Sequence, residues 1–381
     1  MFSFSRENTG LVATWWRNID KQILFIFVFL LLLGLFFSFS STTSMMSEKM
    51  NKQTYFFFIK HLIFVSISLF LLIAISIQEK NKLIKFLIYL FLVSIVLLLL
   101  TLVVGVEIKG SKRWMGFDPL PRFQPVELVK PLFIIFVAKI IVLNEKANIY
   151  RRYLYSFLVL LLIVIILINQ PDLGQTLLLA SVWITMVFVS GFDMVILLIL
   201  GLAFLSIITL LIFFFPEKFS YVFLRIKTFM DPKAGDNFQS QKALDAIKQG
   251  GLTGQGMGEG ILKDEVPEAH TDYIIAVVSE EFGAIFVLFI VIIFLFIGYK
   301  VFNKVFSEKN EFLKLALVGL VSLLIIQTFI HIGVNTRLLP TTGMTLPFLS
   351  YGGSSLIGSS IIAGIILNFT RKDSARYSEN D

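Results

Sequence analysis

The chain has 381 residues, 56% of them hydrophobic and only 15% charged, with a formal net charge of +7. A soluble domain carries roughly 25% charged residues, so a deficit this large excludes an ordinary soluble globular protein. The surplus of Lys and Arg is explained first by membrane topology and anionic headgroups, and no basic block with interleaved aromatics points to nucleic acid.

Residues 1–21 read as a polar, mixed segment with no small-residue cleavage site behind it. Ten apolar runs follow, at roughly 22–40, 55–78, 84–104, 126–143, 153–168, 174–190, 193–215, 273–299, 313–335 and 345–369. Each is read as a membrane span, which gives an all-α integral membrane fold of about ten transmembrane helices. The fourth to sixth are short or interrupted, as expected of helices shielded by neighbours rather than by lipid. One membrane domain therefore covers 22–369, followed by a tail, 370–381. The connecting loops divide by charge. The set that includes both termini holds sixteen Lys and Arg, and the opposite short loops hold seven. The positive-inside rule places both termini in the cytoplasm. The segment 216–272, between the seventh and eighth spans, then faces outward as the one large loop. Within it, Tyr221–Met230 is predicted to be an interfacial amphipathic helix, and Ala243, Leu244 and Ile247 form a second short apolar face stopped by Gly250 and Gly251.

Polar residues collect in the outward segments. Gly110–Trp114 is followed by Arg122-Phe-Gln-Pro-Val-Glu-Leu-Val-Lys130, in which Glu127 and Lys130 are i,i+3 on one helix face. Two readings stand: a charged lip with Arg113 and Lys130 toward a phosphate, or a structural ion pair. Asp172 either caps the helix after it or faces a cavity. Six glycines between Gly250 and Gly260 match no nucleotide-binding spacing and read as a mobile, backbone-exposing loop beside the site. In Pro267-Glu-Ala-His-Thr-Asp272, Thr271 or Asp272 is a plausible N-cap, and Asp272 with His270 beside it is also a candidate general base. Glu280 and Glu281 lie about 12 Å deeper along the same helix and are expected to line a polar interior. Gly352, Gly353, Ser354 and Ser355 allow close helix packing, and no elbow motif supports a serine nucleophile. No His/Cys cluster or other metal motif is present and no cofactor is evident, although a transient divalent cation on a pyrophosphate would leave no motif.

In this order, Gly110–Trp114 with Gln124-Pro-Val-Glu127 and Lys130, Gln170-Pro-Asp-Leu-Gly174, the glycine cluster, His270-Thr-Asp272 with Glu280-Glu-Phe-Gly283, and Leu339-Pro-Thr through Ser350-Tyr-Gly-Gly-Ser-Ser355 resemble the SEDS family of FtsW/RodA type. Pro267–Asp272, Glu281-Phe-Gly283 and Leu339–Pro347 look most like its division-type members. Val126, Tyr273-Ile-Ile and Lys242 depart from the usual pattern at positions peripheral to the carboxylate. The resemblance implies a ten-helix glycosyltransferase of the inner membrane, active on its periplasmic side and at the division septum. It polymerises lipid II onto an undecaprenyl-pyrophosphate-linked glycan. The catalytic Asp of the family falls on Asp272, and its cavity residues fall on Arg113, Glu127, Lys130 and Asp172. His270, Thr271, Ser354 and Ser355 join these as expected substrate contacts. The implied partners are a class B penicillin-binding transpeptidase and other division proteins. The competing readings are a lipid II flippase, a non-catalytic division scaffold and an elongation-type polymerase.

Overall fold

The computed structural model describes residues 10–42, 56–108, 111–116, 121–143, 149–214, 220–230 and 238–372. Gly110, most of the 370–381 tail, and Arg6, Lys49, Lys52, Lys109, Lys146 and Arg376 of the charge comparison lie outside them.

The fold is helical, as expected, and a helix occupies each of the ten anticipated spans. In chain order they are α2 (Lys21–Thr42), α3 (Phe56–Ile77), α4 (Lys80–Val104), α5 (Val126–Leu143), α6 (Ile149–Asn169), α7 (Leu173–Val189), α8 (Met194–Phe214), α11 (Ile274–Ser307), α12 (Glu311–Asn335) and α13 (Gly353–Thr370). Seven of them, α2, α3, α4, α6, α11, α12 and α13, are long and apolar enough to cross a membrane. The helix α5 is buried along most of its length, and α7 has 17 residues, which fits helices shielded by neighbours. By contrast α6 is a continuous helix of 21 residues, neither short nor interrupted.

Three further features depart from the sequence reading. The N-terminal segment contains a short helix, α1 (Leu11–Asn18), whose Trp15 is buried and donates its indole N–H to Ser76 Oγ at 3.0 Å. A hairpin of β1 (Val106–Ile108) and β2 (Ser111–Trp114) adds the one sheet among the described residues. The last helix begins at Gly353 rather than near 345, because Phe348 takes a φ of +66°, outside helical backbone. Residues 345–352 instead form a largely buried turn. The 216–272 segment carries the two expected helices, α9 (Ser220–Met230) and α10 (Phe238–Gly250), then a 3₁₀ turn at Leu262–Glu265.

The helix α11 has 34 residues, about 51 Å if straight, against a hydrocarbon core of about 30 Å. It is broken at Gly283, where φ is +80° and ψ 173°. The glycine-rich loop fills this break. Ala284 and Ile285, which restart the helix, donate to the carbonyls of Gly251 and Leu252 at 3.0 and 3.2 Å. Gln255 and Gly256 donate to the carbonyls of Glu280 and Glu281 at 2.8 and 3.0 Å. The orphan groups of two helix ends are thus satisfied by loop backbone. Glycine is required because the chains nearly touch: a Cβ on Gly250 would lie 1.9 Å from Ser279 O, and one on Gly254 2.2 Å from Glu281 O. The loop expected to be mobile and beside the site is therefore a plug in a helix break.

Candidate active site

The hairpin, the loop Pro267–Tyr273, the turn before α13 and the N-terminal ends of α3, α5 and α7 enclose a cavity of about 1480 Å³. Asp272 lines it, together with Glu268, His270 and Thr271. The backbone of that loop is held by three consecutive carbonyls. His270 O accepts from Tyr351 N at 2.9 Å, Thr271 O from Ser350 Oγ at 2.7 Å, and Asp272 O from Asn335 Nδ2 at 3.0 Å. Asp272 is not a helix cap: the N-cap residue of α11 is Tyr273, and Thr271 Oγ1 turns back to Glu268 O at 3.2 Å. Fixing the carbonyls on one side holds the Asp272 side chain on the cavity side. Gly343, at φ +71°, is the backbone that faces it, since a Cβ there would stand 3.6 Å from Asp272 Oδ2.

His270 packs between the rings of Phe57 and Tyr351, with centroids 5.5 and 5.4 Å away. Burial among these rings pushes its pKa down, against the smaller opposing pull of Glu268, so the imidazole is neutral at neutral pH. Burial pushes the Tyr351 phenol up.

The other expected contacts divide. Arg113 lines the cavity, but its guanidinium is engaged: Nε lies 3.5 Å from Asp172 Oδ2 and donates to Gln170 O at 3.1 Å, and the other arm donates to Pro171 O. Asp172 is the N-cap of α7, accepting from Gln175 N at 3.3 Å, and it does not line the cavity. Lys130 does not reach the lip either. It is fully buried, with Nζ 2.8 Å from Glu127 Oε2 and 3.1 Å from Gln327 Oε1. Its i,i+3 spacing from Glu127 on α5 turns the ammonium inward, so the structural pair describes it better than a phosphate ligand. Glu127 touches the cavity from the other side of that pair and also accepts from Gln175 Nε2 at 3.3 Å. Ser354 and Ser355 line the cavity while holding its wall, Ser354 Oγ accepting from Gln124 N at 3.0 Å and Ser355 Oγ meeting Thr345 Oγ1 at 2.6 Å.

Glu280 and Glu281 do not line the cavity. Glu280 accepts the N–H of Leu262 at 2.8 Å and of Lys263 at 2.6 Å. Glu281 pairs with the buried Lys263 ammonium and with Ser40 Oγ, and accepts from Gly258 N at 3.2 Å. Both carboxylates sit beside the Gly283 break and hold the glycine loop, in a polar interior as expected but one separate from the cavity. Lys60 is absent from the sequence reading, and its one signal is that of a cation near the start of an otherwise apolar span. Gln175 and Asn335 end and begin two of the polar segments, Asn169–Gln175 and Asn335–Gly343, and the structure gives them their partners.

Among the described residues, no group of three or more His, Cys, Asp or Glu is placed to hold a metal ion. A carboxylate on the wall of a cavity this size is placed to take a proton from a group bound there.

A sequence profile of the cell cycle protein family FtsW/RodA/SpoVE matches residues 21–375. A probable peptidoglycan glycosyltransferase FtsW of Caulobacter vibrioides is 35% identical over 72% of this chain and 69% of its own. The stage V sporulation protein E of Bacillus subtilis is 35% identical over 70% of this chain and 74% of its own. Among solved structures, a chain of a peptidoglycan synthase complex that coordinates polymerization and crosslinking superposes with a TM-score of 0.76 at 25% identity, covering 95% of this chain and 99% of that one. The Thermus thermophilus rod shape determining protein RodA gives 0.68 at 25% identity, covering 93% and 97%.

Proposed function

The chain belongs to the FtsW/RodA/SpoVE family of multi-pass membrane proteins, and from that premise we propose that it is the lipid II-dependent peptidoglycan glycosyltransferase of septal wall synthesis, with Asp272 as its general base. The observation that carries this reading is the placement of Asp272: its backbone is clamped by Asn335 and its side chain lies on the wall of a 1480 Å³ cavity. The GlcNAc 4-hydroxyl of lipid II attacks C1 of the sugar on the donor. The C1–O bond to the donor's diphosphate breaks, the electron pair leaves with the undecaprenyl diphosphate, and the hydroxyl proton passes to Asp272. The leaving group is already anionic and needs no protonation, so one base suffices where a glycosidase needs two carboxyl groups. Positive charge near the developing anion stabilises it.

Relatives named as this enzyme favour it over a flippase or a scaffold. The ten-span topology belongs to the proposal: both termini in the cytoplasm, the 216–272 loop and the cavity in the periplasm of the inner membrane, and the protein at the division septum. A class B penicillin-binding transpeptidase and other division proteins are its expected partners. The direct test is purified protein with its transpeptidase on labelled lipid II, with products resolved on a gel. Long glycan from the natural chain and none from Asp272→Asn is the expected result; equal polymerisation by both would remove Asp272 as the base. Because the chain has no cysteine, Met257→Cys and Glu308→Cys report topology cleanly. An impermeant thiol reagent should label only the first in intact cells with a permeabilised outer membrane.

A further inference from the structure

The C-terminal part of α12 carries three buried polar side chains, Gln327, His331 and Asn335, at i, i+4 and i+8. They form one row about 12 Å long on the helix surface. Polar groups buried in so apolar a helix are costly unless their hydrogen bonds are made. Each of the three donates to a backbone carbonyl of a cavity-lining residue. Gln327 Nε2 donates to Thr345 O at 2.8 Å, His331 Nδ1 to Met344 O at 2.8 Å, and Asn335 Nδ2 to Asp272 O at 3.0 Å. Thr328 and Thr336 of the same helix bond back to Leu324 O and Ile332 O instead.

The row thus holds two segments, far apart in the chain, that meet beside the proposed base. Residues 340–346 form neither helix nor strand, so their carbonyls have no ladder to bond to. Gly343, whose backbone faces the Asp272 carboxylate, has no side chain with which to anchor itself. Met344 and Thr345, next to it, are anchored by α12.

The partners fix the direction of each bond. A carbonyl only accepts, so His331 carries a proton on Nδ1. Gln327 Oε1 accepts from the Lys130 ammonium at 3.1 Å, which leaves the amide N–H for Thr345. The buried Glu127–Lys130 pair therefore orients Gln327.

We propose that Gln327, His331 and Asn335 are positioning residues for the transfer reaction. Their row sets the gap between Asp272 and the Gly343–Thr345 segment, in which the attacking hydroxyl meets its base, and the Glu127–Lys130 pair acts on that gap through Gln327. The inference rests on the polymerase reading above. A shift of about 1 Å between reacting groups can cost about 10²-fold in rate, and because no substrate contact is removed, the loss falls on kcat rather than KM.

The test uses the purified full-length chain with its transpeptidase on lipid II, beside melting curves. His331→Leu should lower kcat about 10- to 100-fold with KM within about threefold. His331→Asn, whose amide N–H can take the place of Nδ1–H, should recover most of the loss. Gln327→Met, similar in length and leaving Lys130 to Glu127, should also lower kcat at nearly constant KM. Thr328→Val removes a buried hydroxyl that bonds within its own helix and should keep the wild-type kcat. A merely structural row would lower the melting temperature with kcat per folded molecule kept, and His331→Asn would do no better than His331→Leu; that pattern would overturn the proposal. If His331→Leu fails to fold, Gln327→Met against Thr328→Val decides. Hydrogen exchange over residues 340–346 needs no turnover, and it should quicken in His331→Leu and Gln327→Met but not in Thr328→Val; unchanged exchange in the first two would also overturn the proposal. Quickened exchange in a protein whose natural chain makes no glycan would sink the polymerase reading and leave the anchoring by α12 standing. Glycan made at the wild-type kcat by His331→Leu and Gln327→Met would do the reverse.

Discussion

Asp272 and the Glu280–Glu281 pair stand eight and nine residues apart around the start of one helix, yet their surroundings are opposite. Glu280 and Glu281 face a loop that meets them with backbone N–H groups, the Lys263 ammonium and Ser40. Asp272 is held by its carbonyl, and its carboxylate faces the cavity. The difference teaches that a carboxylate's role follows from which of its atoms the fold engages. Carboxylates turned into a loop's N–H groups and cations tie structure together; one on a cavity wall is presented to whatever enters. The Glu127–Lys130 pair belongs with the first kind, although one edge of it touches the cavity.

Substitutions sharpen the contrast, the largest effect first. Asp272→Asn keeps shape but takes no proton, and lipid II polymerisation should fall about 10²–10⁴-fold at an unchanged melting temperature. A fall in stability with activity per folded molecule kept would place Asp272 in the structural class. Lys263→Ala should do the opposite, leaving the Glu281 charge buried without its partner at about 3–5 kcal/mol. Replacing Lys263 and Glu281 together by apolar residues of similar volume should recover much of that loss, as read from melting curves of the single and double variants. Glu280→Gln weakens one of two backbone contacts and should cost about 1–3 kcal/mol, with polymerisation per folded molecule near wild type. Lost polymerisation at normal stability in either glutamate variant would break the comparison. Asp172→Ala removes the cap of α7 and a partner of Arg113; the cap alone is worth about 1 kcal/mol. Asp172→Asn keeps the cap and isolates the contribution of the Arg113 contact. The smallest effect is expected from Lys242→Ala, because the Lys242–Glu265 pair on the loop surface is 29% and 48% exposed and such pairs contribute at most about 1 kcal/mol.

Much of this molecule follows from local pattern. Apolar runs of membrane length became helices at all ten anticipated positions, since a lipid-facing backbone must satisfy its own hydrogen bonds and helices do so within one segment. The acidic loop Pro267–Asp272 was legible as a candidate site because charged and polar residues are costly near a membrane and mark function there. What pattern left open were the choices made by a distant partner. Asp172 and Lys130 have the composition of cavity residues, but Arg113 and Glu127 turn them inward. Six glycines suggested mobility, but a helix break at Gly283 supplied the donors and acceptors that pin them. Lys60 drew no reading from the sequence, and only the packing of α13 along α3, which leaves one face of that helix on the cavity, places it there. Hydropathy and spacing act over one or two helical turns and are written in the chain. Which charges neutralise one another, and which face of a helix remains uncovered, depends on segments far apart in the chain, such as Ser40 and Glu281, separated by 241 residues, and only their packing decides it.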